Sequence, residues 1–350
     1  MVARQSWYSA AMLPTPPERI ERPLTSAACI RRRPRPVLTR DDVPYPSDLV
    51  FNAGVCKHQG RYVMVFRNDF GLHDGHRFAG TNLGLAFSDD GIAWRVQPKP
   101  CFAMSGGDIR RAYDPRLTVV DGRVYMCFAV DTDHGVRGGI AVTDDFERFE
   151  VLSISVPDNR NMVLLPQRID GMWVRLERPM PVYGRGGRHR FDVWLSRSPD
   201  LRYWGESRLV LGGEHVWYCN DKVGPAAPPV RTPQGWLTTF HAVDIDDRRG
   251  KNGYEPTWKK RYSAGIMLLD LQEPWKVRGL CRDPLIAPQA PYETAGGFRN
   301  DVIFPGGMTL EDSGEVKIYY GAADTVEAMA TAHVDDLVKL CLEGGPPQQF

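Results

Sequence analysis

The seven cysteines of this 350-residue chain (Cys29, Cys56, Cys101, Cys127, Cys219, Cys281 and Cys341) are scattered, odd in number and never spaced Cys-x-x-Cys. That argues against a disulfide framework and a thiolate zinc site, and reads as reduced, mostly buried thiols in a cytoplasmic protein. No charge of one sign prevails, with 44 Lys plus Arg against 43 Asp plus Glu. No global field therefore draws in nucleic acid or an anionic membrane, and neither is expected as a partner. No apolar run approaches a membrane span, and the N-terminus lacks the charged-then-apolar pattern of a secretory signal. A Gly-x-x-x-x-Gly-Lys-Ser/Thr loop is missing, and no Gly-x-Ser-x-Gly motif or close histidine pair suggests a hydrolase triad or a zinc centre, so no nucleotide, triad or metal is expected. The basic, proline-rich RRRPRPVLTR (31–40) resembles a nucleic-acid arm, but runs of this kind are more often solvated linker.

What is present is an internal repeat. Five times a strand-like run follows a turn glycine, at Gly60, Gly122, Gly171, Gly235 and Gly314. Each is rich in β-branched and aromatic residues, as in GRYVMVFR and GWLTTFHAVD. A short apolar run precedes each and a third element follows. In the first three units Asp90, Asp145 and Asp200 stand 55 residues apart, trailed by Trp94, Phe149 and Trp204. Repetition of one three- or four-strand unit predicts an all-β fold, a five-bladed β-propeller over residues 51–345. Residues 1–50 form an N-terminal extension, and HVDDLVKLCLE (333–343) a short C-terminal helix.

In a propeller the innermost strands surround an axis, so polar residues at equivalent blade positions converge at one end. The starts of the inner strands carry Asn52, Tyr113-Asp114, Arg160-Asn161, Lys222 and Asn300-Asp301. The far ends of the second strands carry Arg67, Asp131, Arg178, His241 and Asp324. Antiparallel pairing brings both sets to one rim. Arg160, Arg178, Lys222 and His241 would make a basic wall suited to a tetrahedral oxyanion. Asp114, Asp301 and Asp324 would serve acid catalysis or sugar hydroxyls. The stretch DGHRFAGTNLG (74–84) reads as a polar loop near that rim.

Several segments in fixed order then resemble glycoside hydrolase family 130, the five-bladed β-mannoside phosphorylases. They are AYDPRLT (112–118), NRNMVLLP (159–166), ERP (177–179), NDKVGPAAPP (220–229), GWLTTFHAVD (235–244), LLDL (268–271), PYE (291–293) and IYYGAADT (318–325). The resemblance implies inverting phosphorolysis: inorganic phosphate, a co-substrate rather than a cofactor, attacks a terminal β-mannosyl residue and releases α-mannose 1-phosphate. It implies Asp114 as proton donor, acting through the 3-hydroxyl of the bound mannose. Arg160, Asn161, Arg178, Lys222 and His241 match the family's phosphate-binding set, and Asn52, Arg67 and Asp324 the residues that hold the mannose. Tyr113 and Asp301 are further expected sugar contacts. NDVIFP places Asp301 where many members have valine, which would alter acceptor choice or supply a base for water. The alternatives are a β-mannoside hydrolase on the same scaffold and a non-catalytic carbohydrate-binding propeller. β-1,4-Mannooligosaccharides are the first choice of substrate, ahead of mannosyl-glucose, mannosyl-N-acetylglucosamine and β-1,2-mannobiose. The acceptor side is expected from YGRGGRHRF (183–191) and DIDDRRGKNGYEPTWKKRY (244–262), and SWYSAAML (6–13) as a segment lying across a neighbouring subunit of a homo-oligomer.

Overall fold

Five antiparallel sheets surround one axis in the computed structural model, which describes residues 18–180, 191–249 and 258–347. Each sheet is a blade, and in all but the last the strands run outward from the axis in sequence order. Blade 1 comprises Leu49–His58, Arg61–Phe70, Gly80–Ser88 and Arg95–Val96; blade 2 comprises Ile109–Val120, Arg123–Thr132, Gly135–Thr143 and Glu150–Ile154. Blade 3 is built from Asn159–Leu164, Trp173–Pro179, Val193–Ser198 and Gly205–Leu211. The five turn glycines all have positive φ and link the first strand of a blade to the second.

Blade 4 departs from the pattern at the proline-rich stretch. Its inner edge is split into Lys222–Pro225 and Val230–Thr232, both paired with Gly235–Ile245, and Lys260–Leu269 and Val277–Leu280 follow outward. Proline offers no N–H to a ladder, so the strand breaks where Pro228 and Pro229 pass the axis.

Blade 5 comprises Ile303–Leu310, Glu315–Ala322 and Val326–His333, and its fourth strand is Arg31–Arg32. Residues 31–50 are thus not an extension outside the propeller. Arg31 and Arg32 pair with Thr331 and Ala330, and Leu38 bridges to Glu327 before the chain enters blade 1. The Arg32 guanidinium also donates to the fully buried Glu293 carboxylate at 3.0 Å, so the basic run is structural where it was expected as linker. The C-terminal helix spans Val334–Gly344 and buries Leu337, Val338 and Cys341. The stretch 74–84 is a loop only as far as residue 79, since Gly80 begins a strand. The segments 6–13, 183–190 and 250–257 expected at an interface and at the acceptor side lie outside the described residues.

Candidate active site

The inner strands carry their polar residues at one recurrent irregularity. Register shifts interrupt pairing between Phe51 and Gly54, Tyr113 and Arg116, and Arg160 and Val163. Inside these bulges Asn52, Asp114 and Asn161 have φ of 53°, 53° and 58°, and Asp301 before the inner strand of blade 5 has 60°. Asn and Asp tolerate this left-handed region better than other side chains, and a bulge re-aims the side chain it carries. The repeat therefore delivers an Asn or Asp at the same point of four blades.

These bulges open onto a cavity of about 390 Å³ at one end of the axis. Its lining includes Asn52, Arg67, Tyr113, Asp114, Arg160, Asn161, Arg178, Lys222 and Asp324. Nine of the eleven expected site residues thus share one cavity; His241 and Asp301 are not in its lining. His241 is fully buried one layer behind, with its Nε2 2.9 Å from Arg178 Nη1. An arginine only donates, so Nε2 accepts and the imidazole is neutral, its proton on Nδ1. Burial and then the Arg178 charge hold its pKa well below the ordinary value, in agreement. The Asp301 backbone is committed on both sides: its N–H donates to Glu293 O and its carbonyl accepts from Tyr262 N. Arg299 and Val302 reach the cavity in its place.

Charge is distributed unevenly around the cavity. Arg67 grips Asp69 through Nε and Nη2, the shortest contact being 2.7 Å, and approaches Asp114 Oδ1 at 3.3 Å. Asp114 also accepts from Asn52 Nδ2 at 3.0 Å. Burial pushes the Asp114 carboxyl up, but Arg67, Arg116 and the Asn52 amide together outweigh it and hold its pKa below the usual value. Arg111 holds Asp131 at 2.7 Å, and Arg299 holds Asp324 at 3.0 Å. Burial raises the Asp324 pKa against the pull of Arg299 and Arg67. Lys260 takes Asp221 at 3.0 Å, leaving Lys222 3.6 Å from the same carboxylate.

The opposite wall has cations in excess. Among the described residues Arg160 and Arg178 pair with no carboxylate, and the Nε of each is buried without a hydrogen-bond partner. Burial and then the neighbouring Arg160 push Arg178 down to about 9. Burial, followed by Arg178, holds Lys222 well below its ordinary range. Unsatisfied buried donors and mutually repelling cations are costly, and an anion seated among them relieves both costs.

Beside this wall Trp258 and Tyr262 stack with centroids 5.9 Å apart at 9°, and Arg299 lies 4.8 Å over the Trp258 ring. Sequence reasoning did not single out Asp69, Arg111, Trp258, Lys260, Tyr262 or Arg299. A signal existed for two of them: Asp69 and Arg111 stand two residues from Arg67 and Tyr113, and side chains two apart on a strand share a face.

Residues 18–343 match the family described as beta-1,4-mannooligosaccharide phosphorylase. The chain is 34% identical over 316 residues to the β-1,4-mannooligosaccharide phosphorylase of Ruminococcus albus, covering 87% of this chain and 88% of that protein. It is 28% identical over 294 residues to the 1,2-β-oligomannan phosphorylase of a Thermoanaerobacter species, covering 82% and 91% respectively. The solved β-1,2-mannobiose phosphorylase from Listeria innocua, in complex with β-1,2-mannobiose, shares the fold with a TM-score of 0.75 at 24% identity, covering 89% of this chain and 99% of that one. Five blades, one polar cavity on their axis and a family match over nearly the whole length lead to one assignment: the chain belongs to glycoside hydrolase family 130, the mannoside phosphorylases.

Proposed function

We propose that this protein cleaves terminal β-mannosides with inorganic phosphate, inverting the anomeric centre to release α-mannose 1-phosphate, and that β-1,4-linked mannooligosaccharides are its substrates. The observation that carries the reading is the wall of Arg160, Arg178 and Lys222, rich in buried donors and poor in carboxylates. Arginine forks and a lysine point charge match the oxygens of a phosphate dianion. Phosphate is itself the nucleophile and needs positioning rather than activation, so one acid suffices where hydrolysis by inversion needs two carboxylates.

Asp114 is the acid. Its neighbours hold its pKa below the usual value, and a phosphate dianion clamped on the facing wall opposes that effect by raising its proton affinity. The proton passes through the mannose 3-hydroxyl to the departing glycosidic oxygen. Asn52, Arg67 and Asp324 hold the mannose, and the ring faces of Trp258 and Tyr262 offer apolar surface to the acceptor sugar. His241 acts behind Arg178, orienting its guanidinium. Against hydrolysis, Asp69, Asp131 and Asp324 are each committed to an arginine, and Asp301 lies outside the lining. Similarity to the Ruminococcus albus enzyme favours the β-1,4 linkage over the β-1,2 linkage named for the other relatives.

The test is a reverse-reaction screen. α-Mannose 1-phosphate is offered with mannose, glucose, N-acetylglucosamine and β-linked mannobioses, phosphate release is followed, and the products are sequenced by linkage. Phosphate release with β-1,4 products is expected; β-1,2 products would overturn the linkage, and no phosphate release with any acceptor would overturn the activity.

A further inference from the structure

Arg160 is held at the cavity by a partner that is itself held. Its Nη1 lies 3.1 Å from the Tyr113 hydroxyl oxygen, and that hydroxyl lies 2.7 Å from Asp131 Oδ1. The other Asp131 oxygen accepts from Arg111 Nε at 2.7 Å. The direction of each bond is fixed by chemistry. A guanidinium only donates, so the Tyr113 oxygen accepts from Arg160 and its single proton goes elsewhere. Asp131 is the acceptor that takes it. The Tyr113 ring is flanked by Arg111, 4.8 Å from its centroid, and by Arg67 at 5.0 Å, which fixes its plane. Four side chains from the first two strands of blade 2 and the inner strand of blade 3 thus form one chain: Arg111, Asp131, Tyr113, Arg160.

This chain does a job that no other contact does. Among the described residues Arg160 makes no ion pair, and its Nε is buried without a partner. The Tyr113 hydroxyl is therefore what sets the angle at which the guanidinium meets a ligand. Were the phenolic O–H not held by Asp131, it would be free to turn toward Arg160 and present a proton to a group that only donates. Burial keeps the phenol protonated, its pKa pushed up to about 12.

We infer that Asp131 is a positioning residue for the phosphate clamp, acting on Arg160 through Tyr113. The inference rests on the phosphate reading of the site. It assigns a task to a carboxylate that neither contacts the acid Asp114 in any hydrogen bond nor is needed to pair a phosphate cation directly.

The test is a double-mutant cycle on phosphate binding, read by calorimetry with inorganic phosphate as probe. The proteins are wild type, Asp131→Asn, Tyr113→Phe and the double variant, each with its melting temperature taken in phosphate-free buffer. Losing the control of one charge-assisted bond is expected to weaken phosphate binding by about tenfold in each single variant. The double variant is expected to bind like Tyr113→Phe alone, because Asp131 has nothing to act through once the hydroxyl is gone. In turnover assays of Asp131→Asn the half-saturating phosphate concentration should rise while that of the mannoside stays within about twofold, a split that general destabilisation would not produce. Unchanged phosphate affinity in Asp131→Asn, or an equal further loss when it is added to Tyr113→Phe, overturns the inference. A wild-type protein that binds no phosphate overturns the reading beneath it instead, so the two failures are told apart.

Discussion

At position 224 a missing side chain makes the site. A Cβ on Gly224 would stand 2.5 Å from His241 Cε1 and 2.9 Å from Arg178 Cδ, so the glycine clears the space in which both groups sit. Gly224→Ala is expected to displace Arg178 and weaken phosphate binding by about tenfold or more, with a smaller change in mannoside affinity, as measured by calorimetry. Equal loss of both affinities would mean that the whole rim had moved. For the acid, Asp114→Asn preserves shape and removes the proton, and turnover on an unactivated mannoside should fall by about 10²-fold or more with the melting temperature little changed. Near-normal turnover would remove Asp114 from its role. Single residues were legible in the sequence where one blade position recurs with one chemistry, as at Asn52, Asp114 and Asn161. Asp69 and Arg111 share a face with expected residues, but the pairs they make, Asp69 with Arg67 and Arg111 with Asp131, were not legible. His241 was placed at the rim, yet it lies behind it, since strand register does not reveal depth.

Among the elements, the turn after the third strand repeats most faithfully. Asp90 Oδ1 accepts from the N–H groups of Ile92 and Ala93, Asp145 from Glu147 and Arg148, and Asp200 from Arg202 and Tyr203. A fourth copy stands at Asp270, accepting from Gln272 and Glu273. The 55-residue spacing did not reveal it, because the longer connection between Gly235–Ile245 and Lys260–Leu269 delays it to 70 residues after Asp200. Backbone donors hold all four carboxyls below their ordinary pKa: Ala93 foremost at Asp90, Arg148 at Asp145, Tyr203 at Asp200 and Glu273 at Asp270. A carboxyl whose pKa is lower in the folded state contributes stability in full above the unfolded value of about 3.9, and loses it as pH falls through the folded value. Replacing all four by Asn keeps the accepting oxygen and removes the titration. Between about pH 4.5 and pH 2.5 the variant's melting temperature should therefore fall less steeply than that of the wild type. Parallel slopes would show that the turns do not couple to the fold. The strands themselves were readable from composition, but the break between Pro225 and Val230 could be read only as an oddity. What it accomplishes is spatial: within it Ala226 offers its carbonyl to Arg116 Nε at 2.8 Å.

For the whole molecule, closure of the ring is the feature that the sequence hid. A two-residue strand carries no periodicity, so Arg31–Arg32 gave no sign of completing blade 5. The Pro-Tyr-Glu motif, legible as a family feature, takes its meaning from the same place. Glu293 is fully buried and accepts from Gln289 N, Ala290 N, the Tyr320 hydroxyl and Arg32. A chain beginning at Val37 would leave that carboxylate without its cation and the last strand of blade 5 without its outer partner. Its melting temperature is expected to drop by roughly 5–15 °C, measured by calorimetry; an unchanged value would mean that the outer strand adds nothing to closure. All of these levels converge on one chemical claim, that a clamped phosphate and not water attacks the sugar. The most direct measurement is phosphorus and proton NMR of purified protein incubated with β-1,4-mannobiose, with and without inorganic phosphate. The expected result is α-mannose 1-phosphate and mannose in equal amounts, with no cleavage when phosphate is withheld. Cleavage to free mannose at the same rate in phosphate-free buffer would contradict it.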